Sequence, residues 1–234
     1  MTAEDYLNSI KRESVDIDRF LSKAYHADRV ENNDGWTYSS ELGWVLKDAW
    51  RLDGIAQGAL EKSKTFYSYE AGGARKIINF REKESRIHSY GNSFTHCDQV
   101  SDGETWQENL AANFQEPIEN YGVGGYGVYQ AYKRMRIVEE THPAEFIILN
   151  IWSDDHFRNL DSWRSIRFGC FTSCGLTKPF LRVNVEKQEC IEHENLCPTE
   201  DALYNLSDMD FLLEKFADDP VLAATLITKQ NQKN

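Results

Sequence analysis

Between Arg86 and Trp152, three strand-like segments alternate with two helix-like ones, and this order constrains the fold more than any other feature of the chain. Arg86-Ile87-His88-Ser89-Tyr90 alternates as a short strand does and then meets Gly91. Ser101-Asp102-Gly103-Glu104 has the Ser-x-x-Glu form of a capping box, after which Trp106, Leu110, Ala111 and Phe114 fall on one helical face. Pro117 to Tyr121 is a second short strand candidate. Gly122-Val123-Gly124-Gly125-Tyr126-Gly127 then leads into a helix over about residues 128–140, which Pro143 stops. Phe146-Ile147-Ile148-Leu149-Asn150-Ile151-Trp152 is an apolar run with the length of a fully buried strand. A β-α-β-α-β order predicts a parallel sheet with helices on both faces, an α/β domain. Ligands of such sheets bind beyond the carboxyl ends of the strands. Three clusters follow those ends: Gly91 to Asp98, Gly122 to Gly127, and Ser153 to Asn159. They are predicted to converge on one rim.

The flanking segments are less regular. Tyr6, Leu7, Ile10, Ile17, Phe20 and Leu21 sit roughly at helical spacing within residues 1–30, and Asn32-Asn33-Asp34-Gly35 is a turn cluster. Trp36 to Phe80 predicts an irregular, strand-containing segment. The expected organisation is a lead-in over 1–84 and an α/β domain over 85–234, with an irregular insertion at about 164–205. One helix is expected after Ser207, and another with Asp219 as N-cap and Pro220 at its first position.

The formal net charge of −12 opposes nonspecific nucleic-acid binding, which depends on a basic surface. No run approaches the roughly 18 apolar residues that span a bilayer, and Met1-Thr2-Ala3-Glu4-Asp5 opens the chain without a secretory pattern. A cytoplasmic protein with reduced thiols is therefore expected, with no membrane or nucleic-acid partner.

A serine hydroxyl attacks only when a base takes its proton and donors stabilise the oxyanion. A serine at a strand-to-helix turn supplies its own backbone N–H, and a nearby glycine admits a second. Ser93 and Gly125 have the spacing this requires, with the Asp154 position as a third contributor.

In these residues the chain resembles the SGNH family of hydrolases, also called GDSL-type esterases. Gly91-Asn92-Ser93 is similar to that family's Gly-Asp-Ser block. Asn120 and Gly125 match its second block, and Trp152-Ser153-Asp154-Asp155 lines up with its Gly-x-Asn-Asp block. Glu41-Leu42-Gly43-Trp44 and Tyr69-Glu70 also look like the lead-in of larger members thought to act on acylated saccharides. The resemblance implies a flavodoxin-like, three-layer α/β/α fold and a serine ester hydrolase or acyl-transfer domain needing no cofactor. A small-molecule or saccharide ester is the implied substrate. Ser93 would be the nucleophile, with Gly125 and Asp154 at the oxyanion and Asn92, Asp155 and Arg158 toward the substrate.

Two departures accompany it. Asp154 stands where the family has an oxyanion Asn, and an ionised carboxylate donates no hydrogen bond. No Asp-x-x-His occurs, so the family's base is missing and His156 becomes the substitute. Glu139-Glu140-Thr141-His142 imitates that block, but it ends a helix that feeds a strand and so belongs at the opposite edge from Ser93. The alternative expectation is an inactive carbohydrate-binding module, or a chain incomplete at its C-terminus.

Other features have plainer explanations. Ser93 alone can cap a helix. Gly122-x-Gly124-x-x-Gly127 matches the dinucleotide fingerprint in form, but tight turning explains those glycines equally well. Cys170, Cys174, Cys190, His193 and Cys197 contain zinc-type ligands at spacings that match no tight zinc pattern, so no metal is assigned. Arg158, Arg164 and Arg167 read as an anion clamp or as a solvated face.

Overall fold

The computed structural model describes residues 1–21, 36–46, 50–53, 65–70, 72–153, 155–169 and 176–232. Asp154, Cys170, Cys174 and the 32–35 turn lie outside the described residues. Helices α1 (Ala3–Ile10) and α2 (Ser14–Leu21) precede strands β1 (Trp36–Ser39), β2 (Gly43–Leu46), β3 (Trp50–Asp53) and β4 (Thr65–Ser68). Then come β5 (Ile87–Tyr90), α3 (Ser93–His96), α4 (Trp106–Phe114), β6 (Ile118–Asn120), α5 (Val128–Thr141) and β7 (Phe146–Leu149). Next are α6 (Asp155–Leu160), α7 (Ser165–Phe168), β8 (Phe180–Asn184), β9 (Glu189–His193), α8 (Met209–Phe216) and α9 (Pro220–Asn231).

The chain divides into two compact units. One comprises Met1–Ser22, Tyr38–Trp44 and Phe157–Asn234; the other comprises Lys23–Thr37 and Val45–His156. The sequence boundary at 84/85 falls inside the second of these.

The second unit is a mixed α/β structure around a three-stranded parallel sheet of order β6-β5-β7. Ile87 stands opposite Ile118 on one side and Phe146 on the other. Alternation sends Ile87 and Ile118 to one face, where they meet Ala111 and Leu110 of α4. Tyr90 and Tyr121 point to the other face, where Met135 and Val138 of α5 pack on them. Helices thus cover both faces, as the β-α-β-α-β pattern predicts. β3 and β4 form a separate antiparallel pair.

Two local expectations need correction. The capping box closes only a single 3-10 turn: Ser101 N–H donates to Glu104 Oε2 at 2.8 Å, and α4 starts later with Thr105 as its cap. β7 is an edge strand of this sheet rather than a buried one. With no described strand beyond it, Phe146 stays 52% exposed and Ile147 44%.

In the first unit, α1 buries Tyr6, Leu7 and Ile10 and packs on α7, α8 and α9. Tyr6 donates its hydroxyl hydrogen to the Ile166 carbonyl at 2.8 Å. Asp219 caps α9 through Val221 N–H at 2.7 Å, with Pro220 at the first position, as expected from the sequence. Within the irregular insertion, β8 and β9 form an antiparallel hairpin. No helix of the described residues is long and apolar enough to cross a membrane.

Candidate functional site

β5 ends at Tyr90, the chain turns through Gly91 and Asn92, and Ser93 opens α3. Glycine is required at 91, because a Cβ there would lie 2.1 Å from Thr95 Oγ1 and 2.9 Å from Asn150 Cβ. The neighbouring strand ends are tied to this turn. Val123 N–H donates to Gly91 O at 3.0 Å, and Asn150 N–H donates to Tyr90 O at 2.9 Å. The loop after β6 presses still closer, since a Cβ on Gly122 would meet His96 N at 2.2 Å. Gly122 is therefore spent on packing against α3. The loop is turned by Asn120 Oδ1, which accepts from Gly122 N–H at 2.9 Å, and Gly125 follows with φ +82°.

Asn92 is fully employed inside the protein. Its Oδ1 accepts from Phe94 N–H at 2.8 Å and caps α3; its Nδ2 donates to Asp155 Oδ2 at 2.5 Å. Both residues are buried, so the pair bolts the turn before Ser93 to the first residue of α6. Ser93 itself is half-buried, and among the described residues neither its hydroxyl nor its N–H makes a hydrogen bond. Beside it, exposed Phe94 and Trp152 form an edge-to-face pair with centroids 4.9 Å apart.

The far end of α3 is clamped by Arg75. Its buried guanidinium donates to His96 O at 2.6 Å, Cys97 O at 2.8 Å and Val100 O at 2.5 Å, and to Asp102 Oδ1 at 3.0 Å. It also lies over the Tyr67 ring, 4.6 Å from the centroid. His96 O and Cys97 O are carbonyls that a short helix leaves without intrahelical donors, and Val100 O belongs to the turn that follows.

Two histidines lie in the clusters expected to share a rim with Ser93. His96 is buried and already engaged: Nδ1 pairs with Asp98, and Nε2 meets the Tyr69 hydroxyl at 2.9 Å. His156, on the first turn of α6, is exposed, and no hydrogen bond joins it to Ser93. Burial pushes the Cys97 thiol up, so it is no rival nucleophile.

Of the residues singled out in the sequence, the second unit holds Asn92, Ser93, Gly125, Asp155 and His156, and Asp154 lies outside the described residues. Arg158 belongs to the first unit. There its carbonyl accepts from Lys178 Nζ at 2.5 Å, and its charge, with those of Arg164 and Arg167, helps to depress that buried ammonium. Cys190 is exposed on β9 and Cys197 is buried, while His193 stacks on Phe180 with centroids 4.8 Å apart.

Sequence reasoning missed one convergence, of His88, Glu119 and His142. A His and a Glu at alternating positions of adjacent strands were its only signal. In comparisons with known proteins, no family model matches the chain and no curated protein is significantly similar to it.

Proposed function

We propose that this chain is an ester hydrolase or acyl-transfer domain of SGNH type, with Ser93 as nucleophile and an O-acylated small molecule or saccharide as substrate. One observation carries the proposal. The sheet order β6-β5-β7 means that the chain leaves β5 in one direction and returns past it in the other, so the topological switch point lies beyond the carboxyl end of β5. Ser93 stands there, with its hydroxyl and N–H both uncommitted among the described residues. The same order is the beginning of the flavodoxin-like one.

In the proposed chemistry Ser93 Oγ attacks the acyl carbonyl, and its own N–H with that of Gly125 holds the oxyanion. The exposed Phe94–Trp152 pair offers an apolar surface to the acyl group or a sugar face. The tetrahedral adduct then breaks its bond to the ester alcohol, which leaves with the proton taken from Ser93, and the acyl-enzyme passes its acyl group to water or to another hydroxyl. His156, exposed on the first turn of α6, is the candidate base that takes the Ser93 proton.

A fluorophosphonate probe tests this directly. Labelling of the wild-type chain that disappears in Ser93→Ala is expected; a folded wild type that stays unlabelled overturns the enzyme. The second reading, a binding module, is favoured by the absence of an imidazole hydrogen-bonded to Ser93 among the described residues. It expects saturable binding of an acylated saccharide with no labelling and no ester turnover.

A further inference from the structure

His88, Glu119 and His142 approach one another at the amino ends of the strands, the end of the sheet opposite Ser93. His88 on β5 pairs in register with Glu119 on β6, so their side chains share a face. His142 follows the last turn of α5, and its ring lies 4.9 Å from that of His88. Nε2 of His142 is 3.0 Å from Glu119 Oε1, and Nε2 of His88 is 3.7 Å from the same oxygen. One ligand atom from each residue lies within 4.8 Å of the others. Around a tetrahedral zinc ion with bonds of about 2.0–2.1 Å, ligand atoms stand about 3.3–3.4 Å apart. The two separations from Glu119 Oε1 bracket that value.

The decisive atom is His88 Nε2. The side chain of His88 is 0% exposed, and among the described residues its Nε2 has no hydrogen-bond partner. The other nitrogen is committed, because Nδ1 lies 2.9 Å from Glu139 Oε1. Glu139 also accepts from the Tyr90 hydroxyl at 2.6 Å and from Ala144 N–H at 2.6 Å. The bond from Nδ1 to Glu139 orients the ring so that the unpartnered Nε2 faces Glu119 Oε1 at 3.7 Å. A bound cation would give Nε2 the partner it lacks, and a carboxylate behind a histidine is the usual outer partner of a metal-bound imidazole.

We propose that His88 Nε2, Glu119 Oε1 and His142 Nε2 bind a divalent transition-metal ion, Zn2+ by donor set, with Glu139 as the positioning residue for His88. Two imidazoles and one carboxylate suit zinc and leave a fourth position. His142 is 50% exposed, so that position opens to solvent and takes water. The second oxygen of Glu119 is oriented by the Tyr121 hydroxyl. The ion would pin the end of α5 to β5 and β6. The inference is independent of the chemistry proposed for Ser93.

The test uses the full chain, chelator-stripped and thiol-reduced. Titration with Co2+ is expected to give one equivalent of tetrahedral visible absorption, displaced by one equivalent of Zn2+. His142→Ala, at an exposed position, and Glu119→Gln should each weaken Zn2+ binding at least tenfold. Glu139→Gln should weaken it about 10–100-fold, and His193→Ala should leave it unchanged. Zn2+ should raise the Tm of the wild type but not of His142→Ala. The proposal is overturned if the wild type takes up no stoichiometric Zn2+, or if folded His142→Ala and Glu119→Gln bind it like the wild type. A thiolate-to-Co2+ charge-transfer band would also overturn it, by placing the ion on cysteines.

Discussion

Lys178 is an ammonium-bearing residue in a place shaped for an aliphatic one. It is 1% exposed, and burial, against the pull of Asp161 and with the push of Arg164, Arg167 and Arg158, brings its pKa down to about 7. Asp161 is buried beside it and raised by burial, although Arg167 donates to it at 2.8 Å. The unfolded chain keeps an ordinary lysine, so between about pH 7 and about pH 10.4 it binds more protons than the native state. Stability contributed by this residue therefore rises with pH across that window. Lys178→Met is expected to flatten the rise, by an amount of order a few kcal/mol, in urea unfolding measured from pH 7 to pH 10. Equal pH slopes in the two proteins would contradict a neutral native lysine. Nothing in the sequence around Thr177-Lys178-Pro179 signals this burial. It depends on α6 and α7, which the chain laid down earlier.

Among the elements, α3 shows best what was legible. The alternation of Ile87 to Tyr90 and the break at Gly91 place a strand-to-helix turn, and Ser93 follows from it. Asn92 was harder to interpret, because an amide next to a nucleophile looks like a substrate contact until both its ends are seen bonded internally. Gly122 was readable as a turn glycine but not as a close contact, since its neighbour His96 lies across the sheet's edge. Gly122→Ala is expected to cost about 1–3 kcal/mol by overpacking against backbone, and to reduce fluorophosphonate labelling by moving α3. Gly72→Ala has nothing within 4 Å of its new Cβ and meets only its φ of +87°, so it should retain labelling. Urea midpoints and labelling rates of the two variants decide the point. β8 and β9 escaped the sequence for a different reason. β9 is largely exposed and β8 is mostly half-buried, so no alternation of buried and exposed residues marks them.

At the scale of the whole molecule, the first unit is assembled from segments far apart in the chain. Leu7, fully buried, packs in a helix whose partners begin at Ser165, and Arg12 N–H donates to Leu206 O at 3.0 Å. Helical periodicity reveals that Leu7 has a buried face, but it cannot say that residues some two hundred positions later cover it. Leu7→Ala is expected to destabilise by about 2–5 kcal/mol, read as a lower Tm by calorimetry. A near-neutral result would mean that α1 contributes little to that unit. In the second unit, Arg75 has a comparable reach. It precedes β5 and touches the parallel sheet only through an isolated antiparallel bridge to Asn120, yet it fixes the last carbonyls of the helix that Ser93 begins. Trimming the chain to its β-α-β-α-β portion would keep every strand of that sheet and discard the residue that holds the helix of Ser93 in place. The geometry of the turn at Ser93 is therefore set partly by residues that the strand-helix pattern itself does not contain.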